Sequence, residues 1–86
     1  MYVICVYDVQ EKRCAKVMKV LRKYLFHVQK SVFEGEVTPS RLIELQDKLN
    51  KILKDEDSVI FYTVNENKKL HRSYLGKKTN ELNIII

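Results

Sequence analysis

The chain has 86 residues, with 16 Lys and Arg against 11 Asp and Glu, a formal charge of +5. Hydrophobic residues are 45% and charged residues 31%, a balance that suits one folded domain over 1–86 and excludes a multidomain enzyme, a collagen-like chain and a disordered polar tail. Two cysteines, Cys5 and Cys14, are too few for a disulfide scaffold and lack metal-ligand spacing, which fits a reducing cytoplasm.

In chain order, Met1–Tyr7 is a strand of β-formers that is apolar on both parities. The run is too short for a signal peptide or a membrane span and has no basic segment before it, so no membrane role is expected. A buried strand of this kind carries Met1, Val3, Cys5 and Tyr7 on one face, and Tyr2, Ile4 and Val6 on the other. Asp8 closes it. A helix is predicted over Gln10–Leu25, where Cys14, Val17, Met18, Leu21, Tyr24 and Leu25 recur at helical spacing. Phe26–Gln29 and Ser31–Val37 follow as two short strands around Lys30, with no Gly or Pro to mark the turn. Thr38-Pro39 starts a second helix, Thr as cap and Pro in the first turn, and Leu42, Leu45, Leu49, Ile52 and Leu53 form its apolar stripe. Asp55-Glu56-Asp57 is a polar loop, and Ser58–Val64 is again apolar on both faces. The core is thus expected over about 1–64, a polar basic connection over 65–80, and a short hydrophobic strand over 81–86.

The order βαββαβ with an extra C-terminal strand is an α+β, ferredoxin-like pattern. Both crossover helices then lie on one face of the sheet. The apolar second face needs another cover, and a second copy about a two-fold axis is the simplest, so a homodimer is expected. The small size of the domain points the same way. The tail Leu82–Ile86 would be a sticky edge unless added to a neighbouring sheet.

Positive charge lies in two blocks. Residues 10–30 carry seven basic side chains, Lys12, Arg13, Lys16, Lys19, Arg22, Lys23 and Lys30, against Glu11 alone. Residues 65–80 carry Lys68, Lys69, Arg72, Lys77 and Lys78 against Glu66. Such clusters attract phosphate chains through counterion release, although a solvated helix face looks the same in sequence.

Asp8 is the acid placed best for chemistry. Asp8-Val9-Gln10-Glu11 also fits a capping-box pattern with Asp8 as helix cap. If a two-fold axis brings two Asp8 side chains together, they can hold Mg²⁺, or another divalent cation such as Mn²⁺, with waters and phosphate oxygens completing the shell. The ion would activate water and stabilise charge on a scissile phosphate. Of the remaining polar and aromatic residues, His27 is a candidate acid, base or surface residue. Ser31 is a candidate phosphate donor or turn residue, and Phe33 a base-stacking or core residue.

Tyr7-Asp8-Val9, the basic helix and His27-Val28-Gln29-Lys30-Ser31-Val32-Phe33-Glu34-Gly35 resemble the small CRISPR-associated Cas-two nucleases over nearly the whole chain. The resemblance implies a ferredoxin-like homodimer whose C-terminal strand joins the partner's sheet. It also implies a metal-dependent endonuclease acting on single-stranded RNA or duplex DNA, with Asp8 at the metal, and a place beside the CRISPR integrase in spacer acquisition. Lys12, Arg13, Lys16, His27, Ser31 and Phe33 are the expected nucleic-acid contacts. Cys14 and His27 stand where relatives often carry arginine, and Lys30 where tyrosine is common. Two other readings compete. The first is a non-catalytic adaptor that holds DNA for the integrase. The second is an RNA-recognition module, which would need interleaved aromatics on its third strand, where Ser31–Val37 has Phe33 alone.

Overall fold

A computed structural model describes residues 1–76. The elements are β1 (Tyr2–Asp8), α1 (Glu11–Leu21), β2 (Phe26–Gln29), β3 (Val32–Glu36), α2 (Pro39–Asn50), β4 (Ser58–Val64) and β5 (Leu70–Gly76). The five strands form one sheet in the order β2-β3-β1-β4-β5, every neighbour antiparallel. This is the ferredoxin-like arrangement with one added strand. Lys77, Lys78 and the strand expected at 81–86 lie outside the described residues.

The core follows from strand alternation meeting helical spacing. Val3, Cys5 and Tyr7 of β1, Phe33 of β3, and Val59 and Phe61 of β4 are buried on one face of the sheet. Against them pack Val17 and Leu21 of α1 and Leu42, Leu45 and Leu49 of α2. Helix α2 starts as its sequence dictates: Thr38 Oγ1 accepts from the Arg41 amide at 3.2 Å, and Pro39 occupies the first turn.

The other face of the sheet carries Tyr2, Ile4 and Val6 in register with Val64, Tyr62 and Ile60 of β4. These lead on to Leu70, Arg72 and Tyr74 of β5. Ile4, Val6, Ile60, Tyr62 and Val64 are only half-buried, and no helix among the described residues covers them.

Three expectations are corrected, and the turn at Lys30 is explained. Helix α1 stops at Leu21 rather than Leu25, because the Lys23 and Tyr24 amides bond three residues back and tighten the chain into turns. Asp8 is not the cap of α1. It remains extended in β1 opposite Ser58, and Gln10 occupies the cap position with no side-chain cap bond. The β2–β3 turn needs no glycine, since Lys30 itself takes a left-handed conformation at φ 39°. The segment read as a basic connection contains β5, which pairs with β4 from Val64–Leu70 to Ser58–Gly76. The hairpin between them closes with the Asn67 amide on Asn65 Oδ1 at 3.0 Å and the Lys68 amide on the Asn65 carbonyl at 2.9 Å.

Candidate functional site

The carboxyl end of β1 delivers Asp8 to the surface. Its neighbours fix where it points: Tyr7 is buried toward the helices, so alternation sends Asp8 to the uncovered face with Ile4 and Val6. The side chain is exposed. On one side lies Ser58, its register partner in β4. On the other lies the β2–β3 turn, where the Tyr7 amide donates to the Ser31 carbonyl at 3.1 Å. Ser31 therefore sits at the same end of the sheet as Asp8.

Beneath this end is a buried ion pair. Asp57 is fully buried, and Arg13 nearly so. Arg13 Nε donates to Asp57 Oδ2 at 2.6 Å and Nη2 to Oδ1 at 3.0 Å, a bidentate pair. The Gln10 and Lys54 amides each donate to the same carboxylate at 2.9 Å. The Arg13 guanidinium holds Asp57 well below the usual carboxylate range, against the opposing effect of burial, and the Lys54 and Gln10 amides add to the shift. Glu56 lies 3.2 Å from Arg13 Nη2 at the rim.

This geometry redirects two of the expected nucleic-acid contacts. Arg13 is committed to Asp57 and Glu56, so it is not an open phosphate ligand. Its spacing carried the signal: Arg13, Val17 and Leu21 recur every four residues along the buried stripe. Phe33 is completely buried, with its ring 6.1 Å from Tyr7 and 4.6 Å from His27, so it is a core residue and not a stacking platform. His27 is exposed, lies nearly parallel to Phe33 at 19°, and shares a 2.8 Å hydrogen bond through Nε2 with the Lys30 carbonyl.

Lys12 and Lys16 are exposed one turn apart on α1. With Lys51, Ile52 and Lys54 from the end of α2 and its following loop, and Arg13 in the wall, they line a groove of about 320 Å³. Lys51 and Lys54 were not singled out in the sequence, because only tertiary packing sets α2's end beside α1's start.

Among the described residues no group of three or more His, Cys, Asp or Glu side chains converges to hold a metal. Asp8 is thus the one carboxylate exposed at the end of β1, and it has no cluster of acidic, His or Cys side chains beside it among the described residues. The buried thiol of Cys5 is pushed up to about 12, which leaves no thiolate for nucleophilic chemistry.

Fold and site together define a ferredoxin-like α+β domain with an exposed acid ending its first strand and a lysine-lined groove nearby. The sequence profile of the family described as "CRISPR associated protein Cas2" matches residues 1–72. A CRISPR-associated endoribonuclease Cas2 from Thermotoga maritima is 45% identical over 82 residues, covering 94% of each chain. A crystal structure of Cas2 superposes with a TM-score of 0.73 at 44% identity, covering 100% of this chain and 98% of the other. A Cas2 from Streptococcus pyogenes gives 0.69 at 35% identity, covering 78% and 89%. This chain belongs to the CRISPR-associated Cas2 family.

Proposed function

We infer that the protein is a metal-dependent endonuclease of the CRISPR system that hydrolyses phosphodiester bonds in single-stranded RNA, duplex DNA or both. The observation that carries this reading is the place of Asp8: exposed, at the end of β1, on the apolar sheet face that one chain leaves uncovered. A second copy packed on that face gives a homodimer in which two Asp8 carboxylates can approach one another. Together they would hold Mg²⁺, or Mn²⁺ in its place, with waters and substrate oxygens as the remaining ligands. Held there by the two Asp8 carboxylates, such an ion would supply an activated water and offset charge on the scissile phosphate.

The protein's own residues present the substrate. Lys12 and Lys16, joined by Lys51 and Lys54 in the groove, attract the phosphate chain without reading bases. Lys12 stands in the first turn of α1, where a cation opposes the helix dipole, an arrangement that an anionic partner relieves. Ser31 lies in the β2–β3 turn at the Asp8 end of the sheet, and His27 of β2 is tied to that turn through the Lys30 carbonyl. A cytoplasmic site of action and partnership with the CRISPR integrase in spacer acquisition belong to this reading through the family.

The lysine groove also favours a second reading, an adaptor that holds a DNA duplex while the integrase does the chemistry. One experiment separates them. Parent and Asp8→Ala proteins are compared on single-stranded RNA and duplex DNA, with Mg²⁺ and with chelator. The nuclease reading expects cleavage by the parent only, and only with metal. Equal cleavage by Asp8→Ala, or binding without Asp8-dependent cleavage, leaves the adaptor.

A further inference from the structure

Three segments of the chain meet at one carboxylate. Asp57 takes both donors of Arg13 from α1, the Gln10 amide from the β1–α1 connection, and the Lys54 amide from the α2–β4 connection. It also precedes Ser58, the residue that pairs with Asp8. Its backbone is enclosed too: a Cβ on Gly76, which adopts φ +74°, would run into the Asp57 carbonyl oxygen. The result is a knot of buried charge one residue along the chain from Ser58, the register partner of the exposed acid. Asp8 is flanked on one side by Ser58, adjacent to Asp57, and on the other by Val9-Gln10, whose amide Asp57 holds.

A buried ion pair is a poor device for stability alone, since an apolar pair of equal volume serves as well or better. It is a good device for fixing backbone direction, because a bidentate pair with two further amide donors admits one geometry. Helix α1 has no side-chain cap of its own at Gln10, so the Asp57 carboxylate does the work of locating its start. A carboxylate that must meet a metal ion and a phosphate needs a mount of this rigidity.

We propose that Arg13 and Asp57 are positioning residues for Asp8, holding the end of β1 in the direction the reaction requires. This rests on the reading of Asp8 as the metal-binding carboxylate. The test uses the full chain, with Arg13→Gln/Asp57→Asn as a neutral pair of nearly unchanged volume and Arg13→Lys as the conservative variant. The measurements are kcat and KM on RNA in Mg²⁺, together with hydrogen exchange at the Gln10 amide. The expected result for the neutral pair is exchange at Gln10 about tenfold faster and kcat lowered about tenfold or more, with KM within about twofold of the parent. Arg13→Lys should recover part of the lost kcat. A folded neutral-pair protein with parental kcat overturns the proposal, as does a rise in KM at unchanged kcat, which would make Arg13 a substrate contact. If the neutral pair does not fold, Arg13→Lys decides: a lowered kcat at constant KM supports the proposal, and parental values overturn it. A parent without Asp8-dependent cleavage overturns the nuclease reading instead. Gln10 exchange then judges the clamp alone, faster in the variant supporting it and unchanged overturning it.

Discussion

Two aspartates at one end of the molecule show how environment divides labour between like residues. Asp8 is exposed and free to meet a cation, whereas Asp57 is buried and already has four donors. Asp57 has a folded-state pKa below its unfolded value, so its contribution to stability is complete above the unfolded value and is lost as pH falls. The window opens near the ordinary carboxylate value of about 4 and extends downward from there. Thermal melts between neutral pH and about pH 2.5 should show a steep acid loss in the parent and a shallower one in Arg13→Gln/Asp57→Asn. Parallel curves for the two proteins would remove Asp57 as the source.

At the scale of elements, α1 works with both faces. Val17 and Leu21 pack into the core while Lys12 and Lys16 meet the end of α2 across the groove. Binding of duplex DNA or RNA through these lysines should be indifferent to sequence and strongly salt-dependent. Lys12→Gln and Lys16→Gln should each weaken binding of all sequences alike, and each should lower the slope of log K against log salt by about 1. Filter binding or fluorescence anisotropy across a salt series measures this, and an unchanged slope would move the phosphate track elsewhere. Strand β5 illustrates a limit of local pattern. Leu70, Tyr74 and Leu75 are spread among His71, Arg72 and Ser73, too weak an alternation to mark a strand by eye. The ladder with β4 makes it one, since backbone pairing rewards a neighbour already in place more than it rewards hydrophobicity.

For the whole molecule, the sheet is the decisive object. Its helical side is sealed, and its other side presents Ile4, Val6, Ile60, Tyr62 and Val64 together. On the homodimer reading this face is the interface, and a charge in its middle should split it. Ile4→Glu is expected to shift sedimentation from dimer to monomer and to abolish Asp8-dependent cleavage, while the helix-side core of Val3, Cys5, Phe33 and Phe61 keeps the subunit folded by circular dichroism. A monomeric Ile4→Glu protein that still cleaves at the parental rate would dismiss the shared carboxylate pair.

Much of this was written in local sequence. The alternation in Met1–Tyr7 and Ser58–Val64, the Thr38-Pro39 start and the leucine spacing of α2 specify β1, β4 and α2, because period and capping chemistry act within a few residues. The same alternation places Asp8 at a strand end, and the family-like run from His27 to Gly35 marks β2 and β3. Tertiary structure alone decided which charges remain available. Arg13 and Lys12 are adjacent and equally basic in sequence, yet one is turned inward to Asp57, 44 residues away, and the other lines an open groove. Phe33 was likewise open between stacking and core until Cys5 and His27 were set beside it in register. Long-range pairing of this kind depends on how the sheet brings distant segments together, a property that no local window of residues contains.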